Sequence, residues 1–370
     1  MMQETLKKLH DQKLSLEILT EVKKLAKQFY DKYGHKPAFM EVCGSHTMAL
    51  ARTGLKHALE NEIQLISGPG CPVCVTDQKD IDAMIALTED DHRIVCSFGD
   101  MIRVPGSKQS LMEAKTEGRD VRVVYSPMDA VKIAQDNPDK EVVFLGIGFE
   151  TTIPILAAAV QMAEREKISN FSLWTTTKLV EPIIRALLNE GEVKLDGFIL
   201  PGHVSIVLGA EQYKYIPTEY HKSGVISGFE PVELVRGLYK ILTVLLEDQP
   251  MIINDHTCIV SEKGNEVAKH LMHHYFEPVD EAWRGMGVVL ASGLDFKSEF
   301  DAFNAKKKFH IQIGEVRKTK CICGNILKGV ASPPDCPLYA QACTPSRPIG
   351  PCMVSGEGTC AAYYQYMREV

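Results

Sequence analysis

Eight short apolar runs, each too brief for a helix and each stopped by turn residues, constrain this chain more than anything else in it. They are Phe39–Val42 before Cys43-Gly44, Ile63–Ile66 before Gly68-Pro69-Gly70, Ile94–Cys96 before Phe98-Gly99-Asp100, and Val121–Tyr125 before Ser126-Pro127. Then come Val142–Leu145 before Gly146, Gly197–Leu200 before Pro201-Gly202-His203, Val225-Ile226 before Ser227-Gly228, and Val288–Leu290 before Ala291-Ser292-Gly293. Helix-period segments such as Gln78–Leu87, Ile153–Glu166 and Pro182–Asn189 lie between most of them. That alternation predicts α/β architecture with parallel sheets, arranged as two tandem domains. In open parallel sheets ligands bind beyond the carboxyl ends of the strands, so the glycine-rich loops are expected to converge on a cleft.

The two ends of the chain read differently. From Glu4 to Tyr33 apolar residues recur at helical spacing (Leu6, Leu9, Leu16, Ile18, Leu19, Val22, Leu25), which predicts an amphipathic helix. After Phe296 the strand rhythm stops, and the remainder is rich in Cys, Pro and Gly; such a segment builds no core unaided and needs a metal centre as its staple. The expected division is 1–36 as a helical segment packed on the carboxyl-terminal domain, 37–132 and 133–292 as α/β domains, and 293–370 as a cysteine-rich iron–sulfur domain.

Eleven cysteines in a chain this long, with no signal peptide, point to metal or redox chemistry rather than a disulfide framework. The longest apolar stretch, Ile153 to Ala163, is too short to span a bilayer, and the expected location is the cytoplasm. A net charge of −7 without a long Lys/Arg run leaves no footprint for nucleic acid.

Six cysteines crowd the tail: Cys321, Cys323, Cys336, Cys343, Cys352 and Cys360. They lack the paired C-x2-C spacing of zinc knuckles, and irregular thiolates enclosed by loops suit an iron–sulfur cluster better than zinc. Spacing alone does not choose four ligands from six. Gly68-Pro69-Gly70-Cys71-Pro72-Val73-Cys74 is a C-x2-C after a strand and at a helix start, which favours a redox dithiol or a metal pair over two ordinary cysteines. Cys43-Gly44-Ser45-His46 sets a thiol three residues from an imidazole, fit for a soft metal or a nucleophile with its base, and equally compatible with a structural cysteine. Glu150 and His203 follow strands and are candidates for acid–base work or ligand hydrogen bonding. Gly146-Ile147-Gly148 is no dinucleotide fingerprint, because Thr151 stands at the third glycine, and His270, His273 and His274 read as a solvated helix end.

Taken in order, Cys43-Gly-Ser-His-Thr47, Gly68-Pro-Gly-Cys-Pro-Val-Cys74, Phe98-Gly-Asp-Met-Ile-Arg-Val-Pro-Gly106, Tyr125-Ser-Pro-Met-Asp-Ala130, Gly148-Phe-Glu-Thr-Thr152, Pro201-Gly-His-Val-Ser205 and the cysteine-rich tail resemble the HypD family of [NiFe]-hydrogenase maturation. The resemblance runs from Glu41 onward. It implies two α/β domains facing a cleft and a third domain with a [4Fe-4S] cluster on Cys323, Cys336, Cys343 and Cys360. It also implies a redox pair at Cys71 and Cys74, and an iron-binding thiol at Cys43 with His46 beside it. Ser45 stands where the family often has Gly, and Met48 where some members have His. The implied role is a redox-active scaffold that works with the small chaperone HypC. Iron would sit between a HypC cysteine and Cys43 while the Fe(CN)2CO unit is assembled, cyanide arriving from HypE. The competing expectation is a free-standing Fe–S thiol/disulfide oxidoreductase.

Overall fold

The computed structural model describes residues 11–368, so Leu6 and Leu9 of the expected first helix lie outside the described residues. The strands in chain order are β1 (Ala38–Glu41), β2 (Gln64–Ser67), β3 (Arg93–Ser97), β4 (Val121–Val123), β5 (Glu141–Gly148), β6 (Phe171–Thr177), β7 (Gly197–Pro201), β8 (Ser223–Ser227), β9 (Ile252–Asn254), β10 (Phe276–Trp283) and β11 (Gly287–Phe296). They form a five-stranded sheet in the order β2-β1-β7-β8-β9, a four-stranded sheet in the order β4-β3-β5-β6, and the hairpin β10-β11. Every pair in the two larger sheets is parallel, and the hairpin is antiparallel.

The two parallel sheets are interleaved in the chain. The first is begun by β1 and β2, left for all of β3 to β6, and completed by β7 to β9. The expected domain limit at 132/133 is therefore corrected, since it would separate β3 and β4 from β5 and β6 of the same sheet. Strand–helix rhythm is a local signal and says nothing about which sheet a strand joins. Three strands escaped the reading of the sequence. The exit of β6 is Thr-Thr-Thr-Lys178 rather than glycine, β9 is only three residues long, and β10 alternates with exposed polar residues. Val288–Leu290 belongs to the hairpin rather than to a parallel sheet.

The helix Gln12–Tyr33 starts where Asp11 accepts a hydrogen bond from the Leu14 amide and stops at Gly34, whose positive φ of 77° suits the end of a helix. Its apolar stripe of Val22, Ala26 and Phe29 packs on Leu234, Leu238 and Leu242 of the helix Pro231–Leu246. The expected packing on the cysteine-rich tail is thus corrected: the stripe needs an apolar partner, and the helix behind β8 supplies it. The tail instead runs irregularly through short helices at Cys323–Leu327 and Thr359–Tyr366, the second lying on the helix Gly44–Arg52. Among the described residues, no helix is long and apolar enough to cross a membrane.

Strand order reverses between β1 and β7 in one sheet and between β3 and β5 in the other. These are the switch points at which open parallel sheets form crevices. Four of the glycine-flanked motifs leave from those four strands.

Candidate functional site

Cys43 follows β1 at the first switch point, buried at the start of the helix Gly44–Arg52. The Gly68-Pro-Gly loop after β2 lies directly on it. The Gly44 amide donates to the Gly70 carbonyl at 3.1 Å, and a Cβ at Gly70 would fall 2.4 Å from the Cys43 Cα, so only glycine permits the contact. From the tail, Glu357 accepts a hydrogen bond from Ser45 Oγ at 2.6 Å. Burial pushes the Cys43 thiol up to about 11, with the Glu357 charge adding to the effect and the amides of His46 and Ser45 opposing it. The metal-free thiol therefore stays protonated at neutral pH, and a soft metal would have to displace its proton.

His46 is fully buried, and its Nε2 lies 3.2 Å from both the Ser227 and Gly228 carbonyls. Since carbonyls only accept, Nε2 carries the proton and Nδ1 keeps a lone pair. That Nδ1 is buried without a hydrogen-bond partner among the described residues. Burial draws the ring down to about 4, which fixes it as neutral imidazole at pH 7. Phe229, after β8, stacks on His46 at 4.6 Å and on His203 at 4.3 Å, so His203 joins this rim at its exposed edge.

Cys71 and Cys74 are joined as a disulfide, with Cα atoms 5.3 Å apart, across the short helix Pro72–Val75. That helix packs on the tail turn Pro351–Met353, which carries Cys352. Cys71, Cys74 and five of the tail thiols share one buried cluster. Within the tail, Cys321 donates to Cys323, which holds the Cys321 thiol up and draws the Cys323 thiol down. A hydrogen bond to Cys360 holds Cys352 up in the same way. Burial raises Cys343, which also feels the charges of Cys321 and Cys336. Buried, all-sulfur donors shielded from water fit the chemistry of a [4Fe-4S] cluster. Among the described residues no three His, Cys, Asp or Glu side chains converge on a single metal-ion position.

Glu150 does not join His203. It lies past the end of β5, where its Oε1 accepts from the Val180 amide at 2.8 Å and it borders a separate cavity of about 670 Å³ under the hairpin. Burial pushes its carboxyl up to about 7. The switch point of the four-stranded sheet opens into another cavity of about 530 Å³, bounded by Phe98, Asp100 and Ile147 on one side and by Pro72, Val73 and Glu357 on the other. The Cys71–Cys74 helix and the two sheets therefore meet at one cleft. His273 and His274 stay exposed on the helix Glu266–Tyr275.

Sequence reasoning missed Phe229, Glu357 and the buried pair Glu41–Lys56 under Cys43. Lys56 Nζ lies 2.7 Å from Glu41 Oε1, and Thr47 and Ser67 donate to Glu41 Oε2. Their one local signal is a charged residue inside an apolar strand, Glu41 in Phe39-Met-Glu-Val42.

The family model HypD, described as the hydrogenase formation hypA family, matches residues 14–367. A protein named hydrogenase maturation factor HypD from Rhodobacter capsulatus is 42% identical over 364 residues, covering 96% of either chain. Its namesake from Escherichia coli (strain K12) is 39% identical over 332 residues, 89% of each. A putative hydrogenase expression/formation protein of Methanocaldococcus jannaschii is 38% identical over 363 residues, 97% of this chain and 99% of its own length.

Proposed function

The chain belongs to the HypD family of hydrogenase formation proteins, and from that premise we propose that it is a maturation scaffold which holds the iron of the Fe(CN)2CO unit at Cys43. The observation that carries this reading is the backbone contact of Gly70 on Cys43, which sets a redox-capable disulfide beside a buried soft donor. Iron is cargo here. It would displace the Cys43 proton, with a cysteine of a HypC-type chaperone as the opposing donor and a HypE-type protein bringing cyanide. The neutral His46 ring offers its Nδ1 lone pair on the same rim and keeps Nε2 tied to carbonyls. Each opening of the Cys71–Cys74 bond consumes two electrons and two protons and leaves two thiols in the cleft.

A [4Fe-4S] cluster on Cys336, Cys343 and Cys360, completed by one of the hydrogen-bonded thiols Cys321 and Cys323, would supply single electrons. The resemblance favours Cys323, and the hydrogen bond between the two thiols keeps Cys321 within reach of the same place. A free-standing disulfide reductase is the weaker reading, because Cys71 is 4% exposed and Cys74 0%, which leaves no attacking thiol for a protein disulfide.

The test is iron and acid-labile sulfide content, chaperone binding and hydrogenase activity in cells for Cys43→Ala, Cys321→Ser and Cys323→Ser. Cys43→Ala is expected to keep the cluster iron and to abolish maturation. One of the two serine variants should lose cluster iron, and the other should keep it. Normal maturation by Cys43→Ala would remove the assigned iron site.

A further inference from the structure

Arg284, at the tip of the β10-β11 hairpin, has no role in the reading above, yet it is bonded into the junction of the sulfur-bearing segments. Its amide donates to the Val75 carbonyl at 2.8 Å, its Nε to the Thr76 carbonyl at 2.9 Å, and its Nη1 to Gln78 Oε1 at 2.8 Å. Three donors thus grip the chain just beyond Cys74. The neighbouring Gly285 presses on the tail from the other side, where a Cβ would fall 2.3 Å from the Gly324 Cα, next to Cys323. The remaining Nη2 is buried without a hydrogen-bond partner among the described residues. Leaving a buried guanidinium nitrogen unpaired is costly unless something negative comes to face it.

We propose that Arg284 is a positioning residue that fixes the chain just beyond Cys74 to the tip of the β10-β11 hairpin and sets there a positive charge that favours reduction of the Cys71–Cys74 disulfide. The hold on the chain beyond Cys74 follows from the hydrogen bonds alone, whereas the importance of reducing the disulfide rests on the function proposed above. In the reduced pair a fraction of the sulfur is thiolate, and a fixed cation held at Thr76, two residues from Cys74, stabilises that form and so the reduced state. A lysine keeps the charge but has no planar fork to bind two acceptors at once.

The test equilibrates metal-free full-length protein with dithiothreitol at graded ratios of its reduced and oxidised forms, and reads the Cys71–Cys74 state as the mass added by alkylation. In that exchange the protein disulfide takes up two electrons and two protons, and dithiothreitol becomes its cyclic disulfide. Arg284→Met is expected to make the pair harder to reduce by about tenfold in the equilibrium constant, equal to about 30 mV for a two-electron couple. Arg284→Lys should recover part of that. Gln78→Leu, which frees only Nη1, should shift the constant a few-fold in the same direction and carries the test if the Met variant does not fold. Unmoved constants in folded variants, with or without a lower melting temperature, would overturn the proposal. Absence of a cluster in the wild-type protein would sink the electron-transfer part of the proposed function, while the dithiothreitol result would still decide the role of Arg284.

Discussion

Each parallel sheet buries one glutamate near the carboxyl end of a switch-point strand, and the two are accommodated in opposite ways. Glu41, the last residue of β1, is 0% exposed and fully paired, with Lys56 on one oxygen and Thr47 and Ser67 on the other. Glu150, just past β5, is 3% exposed with one amide on Oε1, and its Oε2 is buried with no hydrogen-bond partner among the described residues. A buried carboxyl that meets a cation stays ionised, and one that meets too few donors keeps its proton. The first device ties β1, β2 and the helix Gly44–Arg52 together beneath Cys43, and the Lys56 ammonium also lies over the Tyr363 ring of the tail at 5.3 Å. The rim that carries Cys43 is thus held by a paired charge, and the other rim holds a carboxyl that burial keeps protonated up to about pH 7.

The harshest way to break this contrast is Lys56→Met. It leaves Glu41 buried without its counter-charge, at a cost of about 3–5 kcal/mol. Chemical denaturation should register that loss, and Glu41→Gln combined with Lys56→Met should recover much of it. If the single variant were as stable as wild type, the pair would not be the anchor of the Cys43 rim.

Glu150→Gln comes next, and its effect depends on pH. The carboxyl is raised from 4.5 to about 7 in the folded protein. Below pH 4.5 both folded and unfolded chains hold the proton. Between 4.5 and 7 only the folded chain holds it, so stability falls as pH rises, reaching a loss of about 3 kcal/mol above the folded value. The glutamine variant carries no such loss. It should match wild type at pH 4 and exceed it at pH 8 in denaturant titrations of metal-free protein. His46, drawn down to about 4, contributes the opposite slope, since its neutral folded form is disfavoured as acid charges the unfolded chain. Wild-type stability should therefore look flatter from pH 4.5 to 6.5 than that of the Glu150→Gln variant, which is expected to rise with pH across that range. A wild-type profile that rises as steeply as the variant's would mean that Glu150 is ionised.

Much of the sulfur-bearing rim was legible because its signals are local. A β-branched run, a glycine and a cysteine within a few residues are enough to set Cys43 and Cys71 at strand ends, where the structure has them. What closes that rim is remote: Glu357 meets Ser45 across 312 positions, and Arg284 meets Thr76 across 208. No periodicity carries such information, and neither residue type is unusual in a loop. The α/β class followed from strand–helix alternation, but the interleaving of the sheets depends on where β7 returns, which the apolar run Gly197–Leu200 does not encode. The tail was legible as a concentration of thiols but not as an ordered ligand set, because its spacing fits more than one choice.

Ser126→Ala is the gentlest test, and it asks whether the other rim is structural where the sequence suggested function. Tyr125-Ser-Pro-Met-Asp-Ala130 is one of the strings that carried the family resemblance. In the structure Ser126 accepts from the Met128 amide at 3.2 Å while Asp129 accepts from the Ser126 amide at 3.2 Å, a capping box that opens the helix Pro127–Asp136 with Pro127 in its first turn. Two otherwise orphaned amides are satisfied by two side chains, which accounts for Ser126, Pro127 and Asp129 without any ligand. Removing the hydroxyl should cost about 1 kcal/mol, seen as a slightly lower denaturation midpoint. Hydrogenase maturation, the pH profile and the dithiothreitol equilibrium should all stay at wild-type values. A loss of maturation with so small a change in stability would show that this rim takes part in the chemistry, and the contrast between the two sheets would fail at that point.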